Sequence, residues 1–113
     1  MNPFDINSIL DDLKVGAIHA AKEAGVQFLR EAGHDALNFI QAALPSLARY
    51  ADLLLAKQIS EDEFKHLVLG LRDLAEMNGL TTAGLASIEV DKTRNGILKA
   101  VSSVVVGAVS KIV

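Results

Sequence analysis

Apolar residues along this chain recur at helical spacing almost from end to end. Ile6, Ile9, Leu10, Leu13, Ala17, Ala21, Ala24 and Phe28 form one stripe, which Ala36, Phe39, Ile40 and Ala43 carry on. Asp5 or Asn7 is placed to cap its start. Only Pro45 interrupts the run, and residues 46–58 resume it with Leu47, Tyr50, Ala51, Leu54 and Leu55 facing inward. Gly25 and Gly33 are candidate break points, but both lack the Asn, Ser or Pro neighbours of a turn. The spacing therefore predicts one long, kinked helix over 6–43 that continues over 46–58.

The sharpest local signal is Ile59-Ser60-Glu61-Asp62-Glu63-Phe64. Ser60 can accept from the Glu63 N–H while Glu63 reaches back to the Ser60 N–H, and Ile59 and Phe64 occupy the two staple positions. Three carboxylates in the first turn suit the positive end of a helix dipole. The apolar set Phe64, Leu67, Val68, Leu71, Leu74 and Ala75 predicts a helix over 61–78, ended by Asn78-Gly79 as a left-handed cap. Thr81 or Thr82 is then placed to cap a last helix over 82–112. Its stripe is Ala83, Ala86, Val90, Thr93, Ile97, Val101, Val104, Ala108 and Ile112, with Asn95-Gly96 as a kink or a true break. Val104-Val105-Val106 has strand character but no second strand to pair with.

With 113 residues, half of them hydrophobic and only 4% aromatic, the chain makes one domain packed by Ala, Leu, Val and Ile. The fold expected is all-α: three or four helices, a long kinked N-terminal helix packed on a shorter middle helix and a long C-terminal one, within an oligomeric bundle. The oligomer follows from length. An unbroken helix over 6–43 is about 57 Å long, the stripe over 6–58 about 80 Å, and the middle helix only about 27 Å. A compact domain of this size has a radius of gyration near 13 Å. Apolar surface left over by the middle helix must meet another chain, a membrane, or itself after a sharp bend.

No cysteine is present, which excludes a disulfide framework, a thiolate metal site and a thiol nucleophile. The net charge of −3 is unevenly spread: residues 60–78 hold five acidic and two basic side chains, residues 79–113 two acidic and four basic. With one tyrosine and no Lys/Arg cluster, nucleic acid is not an expected partner. The opening Met1-Asn2-Pro3-Phe4 has no basic stretch before Asp5, so the location expected is cytoplasmic, with peripheral membrane contact as a variant.

Three features carry candidate chemistry. Residues 97–113 are Val, Ile, Leu and Ala on most faces, with Lys99, Ser103 and Ser110 along one side and Lys111 as the other charge. Such a helix serves either as a core or subunit-seam element or as a segment lying in a lipid interface; it is short for spanning. Small residues at Gly16, Ala20, Ala24 and at Ala17, Ala21, Gly25 form two lines that permit close backbone approach. Together with Ile97, Val101, Val104, Ala108 and Ile112 they are the expected subunit interface. Finally, Glu31-x-x-His34 and Glu63-x-x-His66 match the spacing of di-metal carboxylate bundles, although Glu63 is already explained by the capping box.

No nucleophile elbow, phosphate loop or His-Glu-x-x-His motif occurs, so no catalytic residue and no cofactor are expected. The reading from sequence is a non-enzymatic structural or interaction protein that assembles with itself. A membrane-active amphipathic protein of lipid-interacting or pore-forming type is the alternative, and a di-metal carboxylate bundle a weaker one.

Overall fold

Asp5 starts the first helical run: its carboxylate accepts from the Asn7 N–H at 3.0 Å and its carbonyl from the Ser8 hydroxyl at 2.6 Å. A 3-10 turn, Ile6–Ile9, leads into α1, Leu10–Ala24, and after a break come α2, Leu29–Leu55, α3, Glu61–Leu69, α4, Asn78–Ala83, and α5, Ser87–Ile112. The computed structural model describes residues 5–24 and 28–112. All-α is what the pattern predicts, and no strand occurs among the described residues.

The segmentation differs from the expected one. No helix runs unbroken over 6–43; α1 ends at Ala24, and α2 folds back against it. A Cβ at Gly33, in the second turn of α2, would sit 3.9 Å from Ile18 and 3.7 Å from Lys22, both in the later part of α1. Pro45 is no interruption either, since α2 passes through it. The ring removes the bond to the Gln41 carbonyl, but Pro45 and Gln41 are both exposed, so water can serve that carbonyl. Ala43, Leu47 and Ala51 keep the opposite side fully buried.

The capping box at Ser60 forms as predicted, with its two bonds at 3.1 and 3.0 Å. Helix α3 is shorter than 61–78. It tightens into a 3-10 turn, Gly70–Leu74, and Met77 rather than Gly79 takes the left-handed conformation, at φ 54. Asn78-Gly79 therefore opens α4 instead of closing α3. The reason is non-local: Asp35 of α2, 3% exposed, accepts from the Gly79 and Leu80 N–H groups at 2.9 and 2.8 Å. Thr81 and Thr82 lie inside α4, which Gly84 ends at φ 98 with Leu85 donating to Leu80 and Gly84 to Thr81. The last helix accordingly starts at Ser87, not 82, and runs through Asn95-Gly96 without a break.

Helices α1, α2, α3 and α5 enclose the core, in which Leu13, Phe39, Ile40, Leu47, Phe64 and Ile97 are essentially inaccessible. The molecule extends 45 × 23 × 19 Å with a radius of gyration of 13.9 Å. Its accessible surface of 6444 Å² is close to the roughly 6,000 Å² of a folded monomer of this mass. Helices α1 and α2 thus bury much of the N-terminal stripe within one chain, Leu13, Ala17, Ala21, Ala36, Phe39, Ile40 and Ala43 fully and Ile9, Leu10 and Phe28 in part, so most of the apolar length on which the expected oligomer rested is met by the chain itself.

Candidate functional site

The small residues of α1 meet α5 of the same chain. A Cβ at Gly16 would lie 3.2 Å from Val104, and one at Gly96 would lie 3.9 Å from Ala20. As numbers rise along α1 they fall along α5, so the two helices run antiparallel at close approach. Ala17, Ala21, Ile97 and Val101 are completely buried in this seam or just beneath it. Gly25 and the Ala24 side chain lie outside the described residues. Of the residues expected to bind a second chain, Gly16, Ala17, Ala20, Ala21, Ile97, Val101 and Val104 are thus brought together within one.

The C-terminal stripe departs from its predicted course. Past Val101 the buried apolar positions are Val105 and Val109, while Val104 and Ala108 are half-buried and Ile112 is 44% exposed. Residues four apart advance by slightly more than a full turn, so the row 97-101-105-109 winds round α5 and follows an inclined neighbour. Val104, Ala108 and Ile112 are left on a flank. They form one wall of a groove of about 480 Å³ whose other wall is Ile9 and Asp12. Gly107 opens it further, since a Cβ there would meet nothing within 4 Å.

Charge completes this face. Beyond Asp91 helix α5 has no carboxylate. Lys92 pairs with Glu89 at 3.5 Å, and Arg94 holds Asp91 and donates to the Ala75 carbonyl at 2.8 Å. Lys99 and Lys111 have no carboxylate partner among the described residues. Helix α5 is long and apolar enough to cross a membrane by length and composition alone, and a third of its apolar 18-residue window is buried in the bundle.

The paired Glu and His residues are not drawn together. Glu31 and His34 lie on α2, where His34 pairs with Asn38 at 3.3 Å. Glu63 is held by the capping box at the start of α3, and His66 is exposed on the same helix. Among the described residues no group of three or more His, Asp or Glu side chains is placed to hold a metal ion.

No family model, curated protein or solved structure matches the chain. Its candidate site therefore rests on geometry alone: a long apolar helix, incompletely covered, with two lysines that have no carboxylate partner among the described residues. Sequence reasoning missed two buried polar groups. Asp35 carries no sequence signal of its use, which only the position of α4 reveals. Ser102, on α5, is 5% exposed, and its hydroxyl has no hydrogen-bond partner among the described residues. No sequence signal distinguishes it from Ser103.

Proposed function

We propose that this protein is a non-enzymatic helical module that works at an anionic lipid surface, presenting the outer side of the C-terminal half of α5. The observation that carries the reading is that Lys99 and Lys111 sit on that exposed side, in a stretch without a carboxylate, between half-buried Val106 on one flank and half-buried Val104 and Ala108 with exposed Ile112 on the other. Each lysine near an anionic surface contributes about 1 kcal/mol, and apolar flanks add their burial in the interface. The expected binding is weak, peripheral and sensitive to salt.

Flotation with vesicles of phosphatidylglycerol and phosphatidylcholine tests this. The chain should rise with the phosphatidylglycerol vesicles, less so at high salt, and a Lys99→Glu/Lys111→Glu variant should stay behind. Equal flotation of that variant, or none by the native chain, refutes the reading.

Self-association is a second reading, favoured by the groove between Ile9 and Ile112, whose apolar wall nothing in the chain's described residues fills. Light scattering on dilution separates the two: a mass near 12.0 kDa at every concentration removes the second.

A further inference from the structure

The seam between α3 and α5 holds a depression of about 310 Å³ that is separate from the α1–α5 groove. Lys65 and Leu69 of α3 form one wall, and Leu98, Lys99, Ser102 and Ser103 of α5 form the floor and the other wall. Leu98 is buried at 1% exposure, whereas Leu69 remains 42% exposed beside it, an apolar side chain without full cover. Neither lysine has a carboxylate within ion-pair distance among the described residues.

Ser102 is the sharper observation. Buried hydroxyls are nearly always hydrogen-bonded, because an unmet donor loses water and gains nothing. Ser102 borders this depression, and its buried hydroxyl has no partner among the described residues. Two exposed ammoniums and one buried hydroxyl donor thus line a space whose remaining lining is Leu69, Leu98 and Ser103. Each is satisfied by an acceptor carrying negative charge, and the leucines by a hydrocarbon chain attached to it.

We infer that this depression binds a small anionic amphiphile, a carboxylate or phosphate head on a single apolar chain, with Lys65 and Lys99 clasping the head and Ser102 donating to it. At about 310 Å³ the space lies at the small end of ligand sites, which suits a medium-length chain rather than a two-chain lipid. The inference goes beyond the proposed function and does not rest on it: a free amphiphile enters the α3–α5 seam of the folded bundle whether or not the outer side of α5 meets a bilayer.

Titration of the full chain with decanoate below its micelle concentration, followed by amide chemical shifts, tests it. Saturable shifts should cluster at Lys65, Leu69, Lys99, Ser102 and Ser103. Affinity should fall about ten-fold in Lys65→Ala/Lys99→Ala, which removes two exposed side chains and leaves the core intact. Ser102→Ala should bind several-fold more weakly while melting no lower than the native chain, because it deletes an unpartnered hydroxyl. Sodium phosphate at the same concentration should leave these amides unmoved. Scattered or non-saturating shifts, unchanged affinity in the double-lysine variant, unchanged affinity in Ser102→Ala, or equal response to phosphate each overturn the assignment. Decanoate binding without vesicle flotation leaves the site standing and removes the lipid-surface reading; flotation without decanoate binding does the reverse.

Discussion

Asp35 and Gly79 make one device, and a double-mutant cycle exposes it. The Asp35 carboxylate, on α2, receives the first free N–H groups of α4 at 2.9 and 2.8 Å across a sequence gap of more than forty residues. An exposed N-cap lost to alanine costs about 0.5–2 kcal/mol. Here Leu80 is fully buried, so its N–H would be stranded, and hydrogen bonds to a charged acceptor are worth about 1.5–3 kcal/mol each, less the cost of keeping the carboxylate dry. Asp35→Ala should therefore lose about 2–4 kcal/mol. Gly79→Ala tests the same contact from the other side. In a helix alanine is favoured over glycine by up to about 1 kcal/mol, but the new Cβ would stand 2.9 Å from a carboxylate oxygen of Asp35. Displacing that oxygen forfeits at least one of the two bonds, so the single variant should lose about 1–2 kcal/mol. With Asp35 already alanine the obstacle is absent, and Gly79→Ala should become neutral or stabilising. Urea denaturation followed by circular dichroism measures all four proteins. Additivity within about 0.5 kcal/mol would refute the coupling, as would a loss below that size for Asp35→Ala alone.

Two further substitutions test other parts of the fold. Ala21→Leu places a large side chain in the closed interior beneath the α1–α5 seam and should destabilise by about 1–3 kcal/mol through overpacking. Its unfolding midpoint should not vary with protein concentration; a midpoint that rises with concentration would put Ala21 between subunits. Lys57 sits at φ 61 where α2 ends, with Gln58 donating to Leu53 at 2.9 Å and Lys57 to Leu54 at 3.1 Å, a Schellman closure on a non-glycine residue. Relief of about 1–2 kcal/mol of left-handed strain, set against about 0.5–1 kcal/mol of added chain entropy, predicts that Lys57→Gly gains up to about 1 kcal/mol in the same urea assay. A loss would show that the lysine side chain matters there.

Signals that act within one turn were legible. The Ser60–Glu63 box formed because both partners are four residues apart at most and need nothing else. The inward row of α2 was read correctly on both sides of Pro45, since burial follows periodicity even where a backbone bond is missing. Signals decided by distant partners were not. Asn78-Gly79 has the composition of a helix end, yet a carboxylate from α2 made it a helix start. The boundary after Ala24 is marked in sequence only by Gly25, which lacks the Asn, Ser or Pro neighbours of a turn, and Pro45, the stronger signal, proved harmless on an exposed face. In the candidate site, Lys99 and Lys111 were visible as the only charges after Gly96, but Ser102 and Ser103 are neighbours of one type and only packing separates them.

The same distinction bears on where partners bind. At about 1.5 Å per residue α2 and α5 are each near 40 Å long, and α1 with its leading turn near 28 Å. A hairpin between α1 and α2 turns one long stripe into two shorter ones that cover each other, and α5 closes the remaining side. Small residues serve that closure: Gly16 and Gly96 let α1 and α5 approach until Val104 lies over Gly16, and a residue used in this way is no longer available to a second molecule. What is left to meet a partner is decided by the inclination of the buried row on α5. Because that row passes through Val105 and Val109, residues 99, 103, 104, 108 and 111 are turned outward or to the flanks, and Ser102 is drawn to the edge of α3. Lysine and apolar surface therefore come to lie together as a consequence of packing. What packing leaves on the outer side of α5 is two lysines beside partly covered apolar flanks, the chemistry on which the proposed binding of anionic amphiphiles rests.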